Sequence, residues 1–184
     1  MIQIKVEFRY EVLLLLLKKD MHQRELAKEL KTSLTRVQFI LRELRAVNVL
    51  DYRVVGRNYM YFIKKNLVSK SFILCAEQYK FAKFLRKYPL LEPLFKEIIG
   101  KYPHEMILLF GSYAKGIAKE ESDIDIYVDT RQKKIKEVIA ALHDGLSVHI
   151  REFHKEDLLI KEIIRNHVVI QGGESFYEKL GLFT

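Results

Sequence analysis

Apolar side chains crowd the stretch from Glu7 to Lys19 closely enough to predict a helix buried over a broad face. Before it, Ile2 to Val6 alternate apolar and polar, as a short strand does. Leu26, Ala27 and Leu30 then recur at helical spacing and place a short helix over Gln23 to Leu30. Lys31 to Ser33 break it, and Thr32 or Ser33 can cap a third helix whose single apolar stripe is Leu34, Val37, Ile40, Leu41, Leu44 and Val47. Two strand-like runs, Asp51 to Val55 and Asn58 to Ile63, flank Gly56-Arg57 as a hairpin. Residues 67–87 lack a strong breaker and predict one long helix. Its apolar positions 72, 76 and 79 share one face, while 81, 84, 85 and 88 continue on a shifted one. Such a helix needs more than one neighbour, either two domains or a second copy of the chain. Pro89 and Pro93 follow, then a short helix from Leu94 to Ile99, and a domain boundary is expected close to these prolines.

The second half has a different texture. Met106 to Phe110 form a continuous apolar run, as a buried strand does. A second strand carries Asp123 and Asp125 at its start. Lys133 to Leu142 predict a helix, Leu146 to Phe153 a strand, and Glu156 to Asn166 a helix. Val168 to Gly173 then lead to a short final helix, so strands and helices mix as in an α+β protein.

Composition narrows the class. Of 184 residues, 49 % are apolar and 30 % charged, which excludes a disordered or fibrous chain. The longest apolar run near the N-terminus, Val12 to Leu17, is far short of a membrane span and lacks the features of a secretory signal. A soluble, cytoplasmic protein without a membrane partner is expected. The single cysteine, Cys75, excludes an intramolecular disulfide framework and a multi-cysteine zinc site, and is expected to be a buried small apolar residue.

Net charge is +8, but it is unevenly spread: residues 1–90 carry a balance of +11 and residues 91–184 one of −3. A basic half joined to a mildly acidic half suggests that one part meets a polyanion, unless the basic surface serves solubility alone. The outer side of the third helix carries Thr35, Arg36, Gln38, Phe39, Arg42 and Arg45, with Arg53 and Arg57 near the hairpin tip. Arginine suits phosphates and guanine edges, glutamine suits adenine, and a helix fits the major groove. The sequence Gln23 to Leu30 followed by Leu34 to Val37 resembles the helix-turn-recognition-helix segment of winged helix-turn-helix proteins. That resemblance implies double-stranded DNA as a partner, with a protein-contact role as its alternative.

In the second half, period two puts Asp123 and Asp125 on one strand face. Two adjacent carboxylates repel unless a cation lies between them, and magnesium with phosphate ligands suits such a hard-oxygen pair. Gly111-Ser112 at the end of the preceding strand offers backbone N–H groups, a hydroxyl and close approach to a polyphosphate. No Gly-x4-Gly-Lys-Ser/Thr loop occurs.

Gly111-Ser112, ten residues, then Asp123-x-Asp125 resembles the signature of the polymerase-beta-like nucleotidyltransferase superfamily. The flanking residues resemble its minimal branch, small proteins that act as antitoxins beside HEPN-domain partners. The resemblance implies that Asp123 and Asp125 hold Mg2+ and that Gly111 and Ser112 hold the triphosphate of an NTP, with ATP expected. An acceptor hydroxyl, a partner-protein tyrosine among the candidates, would displace pyrophosphate. Lys115 or Lys119 could steady the leaving group or be ordinary solvated lysines. The family's third carboxylate aligns with His149, whose strand mates are Ser147 and Arg151, while Glu152 points to the other face. His149 could be a base near neutral pH but supplies no negative charge. The other histidines show no ligand spacing and read as surface or satisfied residues.

The expected organisation is a winged helix-turn-helix domain at 1–66, a helical connector at 67–100 and a nucleotidyltransferase domain with a mixed sheet flanked by helices at 101–184. Two functions compete: a nucleotidyltransferase localised by DNA, or a catalytically degenerate domain acting as a transcription regulator or antitoxin-like module. A HEPN-type protein and a second copy in a homodimer are the expected protein partners.

Overall fold

The N-terminal apolar run folds as one helix, α1 (Ile2–Leu16), in a computed structural model that describes residues 2–183, with side chains from Glu7 onward. The strand expected at residues 2–6 is instead the beginning of α1. Five alternating positions are too few to separate period 2 from period 3.6, and a helix once nucleated propagates through them. A two-residue strand, β1 (Met21–His22), leads into α2 (Gln23–Glu29) and α3 (Leu34–Ala46). The Ser33 hydroxyl caps α3 by accepting the Arg36 N–H at 3.3 Å.

Val37, Ile40, Leu41 and Leu44 of α3 are buried against Val12, Leu13 and Leu16 of α1 and Leu26 of α2. Val47 is 48 % exposed, so the apolar stripe ends a turn earlier than its spacing predicts. The reason is local: α3 stops at Ala46 and Asn48 takes a positive φ of 63°, which reverses the chain. The hairpin β2 (Leu50–Val55) and β3 (Asn58–Ile63) follows, and β1 adds to it in an antiparallel sheet of order β1-β3-β2.

The long helix α4 (Leu67–Lys87) matches its predicted span. Its start is tied down by Asn66, whose side-chain oxygen accepts the Ser69 N–H at 2.9 Å, and by the buried Ser69 hydroxyl, which donates to the Val49 carbonyl at 3.0 Å. Two compact units divide between Tyr79 and Lys80, inside this helix. Phe72 and Ala76 belong to the core of the first unit, whereas Phe81, Phe84 and Leu85 belong to that of the second. The shift in the apolar stripe marks this change of core. Cys75 is exposed, contrary to expectation. It stands about 200° around the helix from buried Ile73, on the face that enters no core.

In the second unit a 3-10 turn (Pro89–Leu91) precedes α5 (Glu92–Lys101), β4 (Ile107–Leu109), α6 (Gly111–Lys115) and β5 (Ile124–Val128). Then come α7 (Lys133–Ala140), β6 (Leu146–Ile150), α8 (Leu158–Arg165), β7 (Val168–Gln171) and α9 (Gly173–Lys179). The four strands form one mixed sheet of order β6-β5-β4-β7, in which β5 and β6 run parallel and the other pairs antiparallel. Its core gathers Phe95 and Ile98 of α5, Leu109, Ile126 and Val148 of the sheet, and Ile135 and Ile139 of α7.

Both β6 and α8 are shorter than their patterns predict. After β6 the chain is held by side chains instead of a ladder: Phe153 N–H donates to Asp129 Oδ1 at 3.0 Å, and the Tyr127 hydroxyl donates to the Arg151 carbonyl at 3.0 Å. Asp157 caps α8 by accepting the Leu159 N–H at 2.8 Å, which excludes residues 156 and 157 from the helix. Among the described residues, no helix is long and apolar enough to cross a membrane.

Candidate functional site

Antiparallel pairing of β4 with β5 sets Leu109 opposite Ile126, which brings the end of β4 beside the start of β5. Phe110 N–H donates to the Asp125 carbonyl at 3.0 Å and extends this pairing by one bond. Gly111 comes next, with φ +69°, and turns the chain into α6. A Cβ at this position would run into Asp125 Oδ2 and stand 3.0 Å from its Cγ. The Asp125 carboxylate therefore fills the space that any larger residue at 111 would need, so the glycine-serine turn and this aspartate form one site.

Asp123 lies just before β5 and is exposed, in a loop pinned by the Lys119 N–H donating to the Ser122 hydroxyl at 2.8 Å. Asp125 is half-buried, and burial pushes its carboxyl above the usual carboxylate range. A hydrogen bond from Ser147 and the proximity of His149 pull it back, while the charges of Asp123 and Glu162 push it up further.

Parallel register puts Ser147 opposite Asp125, and His149 opposite Tyr127. Ser147 is thus the nearer of the two along the strand, and its hydroxyl lies 3.1 Å from His149 Nε2. Ser147 thus stands between the Asp125 carboxylate, whose ionised form it favours, and the His149 imidazole. Burial lowers the His149 pKa, and Lys136 and Arg151 add to this against the opposing pull of Asp125. The His149 ring also meets Phe110 edge-on, with centroids 5.3 Å apart.

Sequence reasoning noticed Ser147 only as a strand mate of His149; the register gives it contact with the carboxylate. Glu162 on α8 was missed, because no motif marks it and only the packing of α8 brings it near Asp125. It pairs with Lys115 at 2.8 Å, so that candidate lysine is anchored and not simply solvated. Lys119 is exposed and joins no ion pair among the described residues. Glu152 falls beyond β6 and pairs with Arg131 at 2.7 Å, and Arg151 pairs with Asp157 at 2.6 Å.

Among the described residues, no cluster of three or more His, Cys, Asp or Glu side chains is arranged to hold a metal. The donors at the site are two hard carboxylates beside a glycine-serine turn. They suit a single magnesium ion that takes its remaining ligands from phosphate oxygens and water. A second ion would need another carboxylate where the strand presents imidazole.

Residues 95–176 match the family model of polymerase beta, nucleotidyltransferase. The second unit therefore carries a nucleotidyltransferase domain. The match includes Gly111, Ser112, Asp123, Asp125, Ser147, His149 and Glu162. No curated protein matches the chain.

In the first unit, Thr35, Arg36, Gln38, Arg42, Arg45, Arg53 and Arg57 are all exposed. At 100° per residue, Thr35, Gln38, Arg42 and Arg45 share one face of α3, with Arg36 to one side. Arg36 stacks over the Phe8 ring at 4.1 Å and Arg45 over Tyr52 at 4.3 Å. Arg53 pairs with Asp20 at 2.7 Å. Arg42 and Arg57 make no ion pair or ring contact among the described residues.

Proposed function

We propose that this chain moves a nucleoside monophosphate from magnesium-bound ATP to a hydroxyl group, a partner-protein tyrosine being one candidate acceptor, and that its first unit binds double-stranded DNA. The observation that carries the first part is the Asp125 carboxylate seated against Gly111, because it joins the carboxylate pair to the turn that suits a polyphosphate.

In this reading Gly111 and Ser112 hold the triphosphate, while Asp123 and Asp125 hold magnesium. The metal supplies charge neutralisation at the phosphates. The acceptor oxygen bonds to the α-phosphorus as the bond to pyrophosphate breaks. Ser147 fixes the Asp125 carboxylate in place. Glu162 holds Lys115 where it can meet the departing charge, and His149, kept neutral by burial, is the candidate base for the acceptor proton. The DNA part is supported by the exposed polar and basic face of α3, the hairpin that follows it and the +11 balance of residues 1–90. A winged helix-turn-helix arrangement and a homodimer fit paired half-sites.

A second reading is favoured by His149 at the position of the third acid: a catalytically degenerate domain that binds nucleotide and serves as a regulator or an antitoxin-like partner for a HEPN-type protein. Calorimetry with magnesium and ATP, comparing wild type with Asp123→Asn, tests the shared site. Binding that the substitution removes supports it, and equal binding by both proteins refutes it. Label from α-phosphate-labelled ATP then separates the readings, since transfer to protein supports the enzyme and binding without transfer supports the degenerate domain.

A further inference from the structure

A cavity of about 510 Å³ opens in the second unit beside the carboxylate pair. That volume suits a small molecule or one large side chain with its neighbours. Tyr88 and Tyr113 form an aromatic wall, their ring centroids 5.0 Å apart and tilted edge to face. Glu120, Glu121 and Asp123 line it as well, so Asp123 belongs both to the cavity and to the candidate site. None of these three carboxylates has an ion-pair partner among the described residues.

The one lysine in the lining, Lys87, is already engaged: it donates to the Gly116 carbonyl at 2.8 Å and lies 5.1 Å from the centre of the Tyr88 ring. His143 accepts the Gly145 N–H at its Nδ1 (3.0 Å). The cavity therefore presents an aromatic wall and net negative charge. A triphosphate would be repelled by it, whereas an organic cation gains both charge pairing and contact with the ring faces.

We propose that this cavity is the acceptor subsite and that it selects an aromatic hydroxyl carried on a positively charged group. The proposal rests on the nucleotidyltransferase reading only in naming the occupant an acceptor; the selection of a cation stands on the cavity itself. Asp123 makes the two sites neighbours, which places an occupant beside a phosphate held at Gly111 and Ser112.

The test is calorimetric titration of the full chain with tyramine and with hydroxyphenylpropionate, which share the ring and hydroxyl but carry opposite charges. Tyramine is expected to bind more tightly. The double substitution Glu120→Lys, Glu121→Lys changes exposed, unpaired residues and is expected to weaken tyramine about five- to tenfold, as loss and reversal of exposed charge pairs do. No tyramine binding, equal affinity for the two probes, or unchanged affinity in the variant overturns the proposal. A lysyl-tyrosyl-lysine peptide that binds more tightly than tyramine supports charge selection with a protein chain as the source, and one that binds more weakly supports it with a small amine. A parallel titration with magnesium and ATP keeps the two ideas apart. Tyramine binding without ATP binding refutes the nucleotidyltransferase reading alone, and ATP binding without tyramine binding refutes the acceptor subsite alone.

Discussion

Gly111→Ala is the sharpest perturbation of the site, because its cost has two separable sources. The left-handed backbone at φ +69° costs an alanine about 1–2 kcal/mol. The new Cβ also overlaps Asp125, whose carboxylate must then leave its position and its hydrogen bond from Ser147. Overpacking of this kind adds about 1–3 kcal/mol. The sum of about 2–5 kcal/mol corresponds to a fall in melting temperature of roughly 4–20 °C for a chain of this size. Gly56→Ala is the control, since Gly56 has φ +61° with no atom within 4 Å of a Cβ, so it reports the backbone component alone. Circular dichroism melts of both variants, and of Gly111→Ala in an Asp125→Ala background, complete the cycle. Removing the Asp125 carboxylate should reduce the Gly111→Ala cost to that of Gly56→Ala, a coupling of about 1–3 kcal/mol. If Gly111→Ala costs no more than Gly56→Ala in the intact chain, or costs the same with and without the Asp125 carboxylate, the close approach is not what fixes this glycine.

His149 gives a pH prediction. Its folded pKa lies below the ordinary histidine value of 6.5, so the native state binds fewer protons than the unfolded chain, and its stabilising contribution is complete above that value and lost as pH falls through the folded pKa. Melting temperature should fall on acidification below about pH 6.5 more steeply in wild type than in His149→Gln, and parallel curves would disprove the assignment. Asp157→Ala removes the cap of α8 and should cost about 1 kcal/mol, measured as a lower urea midpoint. Arg42→Ala and Arg57→Ala should each weaken double-stranded DNA in fluorescence anisotropy and lower the salt slope by about 1, because neither guanidinium has an internal partner to release first.

What the sequence made legible was governed by local rules. The Gly111-Ser112 turn, the two aspartates and the span of α4 could be read because each depends on neighbours in the chain. β1 escaped notice because two residues carry no periodicity; it exists only because β3 offers it an edge. Ser147 and His149 were seen together but their order of approach was not, since parallel register decides which residue faces Asp125. Glu162 was invisible for a different reason. Its helix shows an ordinary buried face through Ile160 and Ile163, and only tertiary packing turns Glu162 toward Lys115. The early ends of β6 and α8 arise from Asp129 and Asp157 accepting backbone N–H groups, a competition that hydrophobic spacing does not register.

A helix that serves two cores also decides where the polypeptide can be divided. Severing it at residue 66, where the hairpin has just ended, would deprive the upstream fragment of Phe72, Ala76 and the Ser69 hydroxyl that anchors to Val49. Severing it at Pro89 would strip the downstream fragment of Phe81, Phe84 and Leu85. Only a break near Tyr79, in the middle of regular secondary structure, keeps the residues of each buried cluster together. Fragments intended for separate expression should therefore end and begin inside α4, against the usual practice of cutting in loops, and a protease that attacks the loops on either side should release pieces that no longer hold their shape.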